Sequence, residues 1–105
     1  MTVLEFDWDQ WNIQKNESKH GVSKLEAESL FYDEDLILFP DVRHSTTKEI
    51  RYIAYATSYA QRVLMCAFTI RSKKIRIISV RGSSKKERTV YEEEKRKRPA
   101  ENAGR

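Results

Sequence analysis

Lys74–Glu92 reads KIRIISVRGSSKKERTVYE, a strand, a break and a helix in immediate succession. Lys74 to Arg81 is rich in β-branched residues and predicts a strand. Gly82-Ser83-Ser84 breaks it, and Lys85 to Lys95 predicts a helix. Strict alternation would set Ile75, Ile77, Ser79 and Arg81 on one side. If that side is the core side, Arg81 stands where the apolar row runs out. On the helix, Arg88, Tyr91 and Glu92 are neighbours, as are Glu87 and Tyr91. Two arginines, a phenol and a carboxylate near one strand end predict a phosphate-handling corner.

Upstream lie two further strand candidates, Ile50–Thr57 and Arg62–Arg71. The gaps Ser58–Gln61 and Ser72–Lys74 are short, so an antiparallel meander is the cheapest connection. Val63 to Ile70 is apolar on both faces and predicts the central strand. Leu36-Ile37-Leu38-Phe39 predicts another strand, stopped by Pro40-Asp41. Val3-Leu4-Glu5-Phe6 is a short strand candidate. Asp7 or Asp9 then caps a helix running to about His20 and ending at Gly21, with Trp8 and Trp11 as core anchors. Asn16 and His20 share a face, as a structural pair or a catalytic one. Ser23-Lys24-Leu25-Glu26 is a capping box opening a second helix through Phe31. Its acidity (Glu26, Glu28, then Asp33, Glu34 and Asp35) would repel a phosphate backbone and suits a basic protein partner. The fold class is α+β: N-terminal helices, about four antiparallel strands and a C-terminal helix.

A chain of 105 residues with 39% apolar residues supports one domain, expected over residues 1–95. Residues 96–105 form a basic tail, expected to be disordered beyond about residue 97. No apolar run approaches the roughly 20 residues that span a bilayer, and the acidic start is unlike a signal peptide. The single cysteine, Cys66, sits in an apolar run and fits a reduced core residue of a cytoplasmic protein. One cysteine and two distant histidines make no zinc site, so no cofactor is expected. The net charge of +4 hides an asymmetry. Residues 1–49 carry five Lys/Arg against eleven Asp/Glu, and residues 50–105 carry fifteen against five. Such a field favours a polyanion such as RNA or DNA. The alternative is that the halves neutralise each other across the fold.

With three glycines in all, no Gly-rich phosphate loop exists, and no serine or cysteine has an activating context. What remains is arginine at strand ends, whose planar fork matches phosphate oxygens. Arg51, Arg62, Arg71, Arg76, Lys85, Lys86 and Arg88 are the candidate RNA-binding residues. RNA cleavage needs little more than such a surface, because the attacking 2′-hydroxyl belongs to the substrate. Arg81 and Arg88 suit the electrostatic task, while His44, Glu49 and Tyr91 are candidates for proton transfer. His44 has the most suitable unperturbed pKa. The bland alternative is that these arginines flank the sheet and Tyr91 packs on it.

Residues 5 to 92 resemble the BrnT family of bacterial type II toxins, distant relatives of the RelE ribonucleases. The resemblance is carried by Phe6-Asp7-Trp8-Asp9, Asn16, Lys19-His20-Gly21-Val22-Ser23, Phe31, Asp33 and Asp41. It continues through Arg43-His44-Ser45, Glu49, Arg51, Arg62, Ile75 to Arg81, Glu87-Arg88 and Tyr91-Glu92. Val80 and Ser83 depart from it. It implies a RelE-like fold and a metal-independent endoribonuclease that blocks translation. It also implies a BrnA-like ribbon–helix–helix antitoxin as partner, and operator DNA bound through that antitoxin. A non-catalytic nucleic-acid-binding or corepressor module is the alternative, and a scaffold that only binds a partner protein is a third reading.

Overall fold

The computed structural model describes residues 3–98; the tail expectation beyond Arg98 lies outside the described residues. Helix α1 (Gln10–His20) begins at Asp9, whose carboxylate accepts from the amides of Trp11 and Asn12. It ends at Gly21 with φ 64°, the left-handed cap that glycine adopts without a Cβ clash. Helix α2 (Lys24–Ser29) follows at once and tightens into a 3₁₀ turn, Leu30–Tyr32. Four strands come next: β1 (Ile37–Pro40), β2 (Arg51–Thr57), β3 (Val63–Arg71) and β4 (Lys74–Gly82). They pair as an antiparallel meander in the order β1-β2-β3-β4, as the short gaps predict. Helix α3 (Lys85–Arg96) closes the chain with a reciprocal capping box between Ser84 and Glu87.

One sheet face is covered by α1 and α2. Ala54, Ala56, Leu64, Cys66, Phe68, Ile77 and Val80 from the strands meet Val22, Ala27 and Leu30 there. Phe31 joins the layers through edge-on contacts with Phe6 and Phe68 at 5.7 and 5.0 Å. Cys66 is fully buried among them, and burial pushes its thiol pKa up. The opposite face is half-open, crossed at one end by α3. No helix among the described residues is long and apolar enough to cross a membrane.

Several expectations need correcting. Trp8 packs on the core and its indole N–H donates to Glu28 at 2.7 Å, but Trp11 is 67% exposed, with the Lys15 ammonium over its ring. Ser23 caps α2, yet Glu26 does not return the bond, because its carboxylate turns inward to Arg62 and Ser58. With Glu28 on Trp8, the first two carboxylates of that acidic stretch are committed within the fold, so they offer little to a basic partner. Pro40 does not stop β1 but belongs to it, tolerated because β1 is an edge strand.

The largest correction concerns β4. Ala67 pairs with Ser79 while Phe68 pairs with Ile77, so Ile78 is an extra residue in a β-bulge. One inserted residue reverses the facing of everything after it. Ile75, Ile77 and Val80 therefore face the covered side, and Ser79 and Arg81 face the open one. Polar groups of α1 hold the bulge: Lys15 Nζ donates to the Ile78 carbonyl at 3.2 Å, and Asn16 Oδ1 accepts the Val80 amide at 3.2 Å. Asn16 is thus a buried structural residue whose oxygen bonds to the β4 edge.

Candidate functional site

On the open face, Tyr55 of β2, Met65 of β3 and Arg81 of β4 stand side by side in register. The guanidinium of Arg81 grips Glu87 with both arms, each at 2.9 Å. Glu87 Oε1 also accepts the Ser84 amide at 2.8 Å, so the helix cap and the strand-end arginine share one carboxylate. That grip, against the opposing effect of burial, holds the Glu87 carboxyl below its usual value. Tyr55 is shifted upward, first by burial and then by the charge of Glu87. Just above lie Lys85, Lys86 and Arg88, exposed and with no side-chain partner among the described residues.

The predicted corner therefore forms with different members. Arg81 does meet a carboxylate, but it is Glu87 rather than Glu92. Tyr91 points inward: 1% exposed, it donates to Asp33 Oδ2 at 2.7 Å and accepts from Thr57 Oγ1 at 2.9 Å. Burial, foremost, pushes its phenol well above the ordinary range. His44 and Glu49 lie elsewhere, around the β1–β2 connection. His44 Nδ1 is 2.8 Å from Asp41 Oδ2, with a side chain 61% exposed. Glu49 accepts from Arg51 at 3.3 Å and Arg71 at 3.1 Å, which lowers its carboxyl pKa, Arg71 contributing most. The Arg51–Thr69–Arg76 row is four residues from the Tyr55–Met65–Arg81 row, about 13 Å along the strands. The sheet thus brings together Tyr55, Arg81 and Glu87, and keeps His44 and Glu49 at its other end.

The candidate arginines of the strands are engaged. Arg76 bonds Asp7 at 3.0 Å and approaches Asp9 at 3.6 Å. Arg62 makes a two-armed bond to Glu26 and reaches the Gly21 carbonyl, fastening the β2–β3 turn to both N-terminal helices. Of the seven expected RNA-binding residues, Lys85, Lys86 and Arg88 have no side-chain partner among the described residues. Tyr55 is the member of this group that the sequence reading did not name, and it named Glu87 only as a neighbour of Tyr91. Alternation along β2 could have found Tyr55, and the Ser84–Glu87 spacing announces a carboxylate held at the start of α3.

Comparison with curated proteins finds no match. Among solved structures the chain is similar to the 1.1 Å crystal structure of the Brucella abortus ribonuclease toxin BrnT, with a TM-score of 0.58. That alignment covers 79% of this chain and 100% of the other at 21% identity, a likeness of fold. Residues 8–87 match the model of the family described as the ribonuclease toxin BrnT of type II toxin-antitoxin systems, and the chain belongs to that family.

Proposed function

We propose that this chain is a cytoplasmic, metal-independent endoribonuclease that cleaves RNA by attack of the substrate's own 2′-hydroxyl and so blocks translation. One observation carries the assignment: the Arg81 fork is held on an open sheet face beside three unpaired cations. Lys85, Lys86 and Arg88 crowd the positive end of the α3 dipole, where they weaken the helix unless an anion docks. A phosphate there relieves the repulsion, and Arg81 stabilises the charge that builds on its oxygens during attack. When the Arg81 fork turns from Glu87 to the phosphate, the Glu87 carboxylate is freed of the bonds that lower its basicity and becomes the candidate to accept the 2′-hydroxyl proton, with Tyr55 in the same row. His44 with Asp41, and Glu49 with its arginines, lie beyond reach of a linkage held by Arg81.

The partner in this reading is a BrnA-like ribbon–helix–helix antitoxin that covers the open face and carries the complex to operator DNA. Half-exposed Phe39, Tyr55 and Met65 give that face apolar area among its charges. The test is incubation of purified protein with end-labelled RNA in excess chelator. Cyclic-phosphate ends are expected, with cleavage reduced about 100-fold or more by Arg81→Ala. Cleavage that requires added metal, or 5′-phosphate products, would overturn the mechanism.

A further inference from the structure

Farther along α3 from Arg81, a cleft of about 410 Å³ opens between the end of α2, the β2–β3 turn and the helix. Tyr32, Asp33, Tyr59, Gln61, Tyr91 and Lys95 are among its lining residues, and the Asp33 carboxylate is taken up by the Tyr91 hydroxyl and the Thr57 amide. Tyr32 and Tyr59 are each 60% exposed, although both are large aromatic residues. The turn that carries Tyr59 is held firmly. The Ser58 amide donates to the Arg62 carbonyl at 2.8 Å, and the Tyr59 amide donates to Ser29 Oγ at 3.0 Å. Ser58 Oγ is in turn bonded to the buried Glu26 carboxylate. Gln61 sits at φ 62°, a conformation that glycine or asparagine adopts at lower cost. The turn thus carries a long amide side chain at a strained position, and that residue lines the cleft.

We propose that this cleft receives an unpaired base of the RNA, stacked on the exposed tyrosines and read at its edge by Gln61, with Lys95 meeting the adjoining phosphate. The inference rests on the ribonuclease reading above. Flat aromatic surfaces bind any base by stacking, and a side-chain amide, both donor and acceptor, discriminates between base edges. The polar side chains beside the tyrosines, Ser29, Thr57, Gln61 and Lys95, suit the polar edge and phosphate of a nucleotide. Glu87 and Lys95 are eight residues apart on α3, about 12 Å. One RNA strand can reach both. The cleft then selects which linkage lies at Arg81.

The experiment compares wild type with Tyr32→Ala, Tyr59→Ala and Gln61→Gly, using binding of short labelled single-stranded RNA and the base profile at cut sites. Each tyrosine variant is expected to weaken binding between about five- and a hundred-fold, the range for losing one stacked base. Gln61→Gly is expected to melt no lower than wild type, to keep cutting, and to lose base preference at one fixed position from the cut. If all three variants bind and cut with the wild-type profile, the cleft proposal fails and the ribonuclease reading stands. A wild-type protein that neither binds nor cleaves RNA removes both. Variants with normal RNA behaviour that no longer bind the antitoxin would make the cleft a protein-docking site, also overturning the proposal.

Discussion

Replacing Arg62 by alanine separates a fold-holding arginine from an RNA-binding one. Glu26 is 5% exposed and receives two hydrogen bonds from Arg62 and one from Ser58. Without Arg62 its carboxylate stays buried with Ser58 alone. Removing one member of a fully buried ion pair costs about 3–5 kcal/mol. The Arg62 side chain is 45% exposed, so water enters in its place and the loss falls to about 2–3 kcal/mol. For a domain of this size that lowers the melting temperature by about 10–20 °C. The pH dependence has a definite sign. Arg62, chiefly through its hydrogen bonds, holds the folded-state pKa of Glu26 below its unfolded value. The stabilisation is therefore complete above the unfolded pKa and disappears as pH falls through the folded one. Wild type and Arg62→Ala should differ most at neutral pH and converge in acid. Thermal unfolding by circular dichroism at pH 7 and pH 3 measures this, alongside RNA binding at a temperature where both fold. An unchanged melting temperature together with lost RNA binding would refute the structural assignment.

Tyr91→Phe should cost about 1–2 kcal/mol, because Asp33 loses a donor and Thr57 an acceptor, with cleavage at 20 °C retained. A loss of activity above 100-fold at unchanged stability would restore Tyr91 as a proton-transfer residue. If Arg81, Lys85, Lys86, Arg88 and Lys95 alone meet phosphates, log K against log salt should have a slope of about −3.5 on single strands. A slope near −6 would mean that Arg51, Arg62, Arg71 and Arg76 also exchange their carboxylates for phosphate.

Caps and strand order were legible because they depend on local chemistry. Asp9, Gly21 and Ser23 each satisfy backbone groups about one turn away, and short gaps leave a meander little choice. The facing of Arg81 was not legible. Ile78 reads as an ordinary β-branched strand residue, and it becomes a bulge only because Lys15 and Asn16, more than sixty positions earlier, capture the backbone around it. That Tyr91 packs against the sheet was legible only as an alternative, for a related reason. Helical spacing gives its neighbours on α3, but its burial depends on Asp33 and Thr57, which only the fold brings beneath it. Glu87 was read only as a neighbour of Tyr91, although the Ser84–Glu87 spacing already carried its bond to the helix cap. Its second bond, to Arg81, required the reversed facing of β4.

The charge asymmetry of the sequence has two separable physical outcomes. Much of it is neutralisation between the halves: Arg62 on Glu26, Arg76 on Asp7 and Asp9, Arg98 near Asp35, and Arg51 with Arg71 on Glu49. These pairs lie along the sheet and its flanks, so the acidic first half serves as counter-charge for the basic second half. Several exposed cations keep no carboxylate partner among the described residues, and those on the first turn of α3 are placed least favourably. Lys85, Lys86 and Arg88 flank Glu87 in the chain, at the helix end where positive charge is least welcome. A protein that only needed its halves to attract each other would have no reason to leave that excess unmet. In the proposed reading an anionic substrate meets it, and this local excess, rather than the overall +4, is the argument for RNA on the open face.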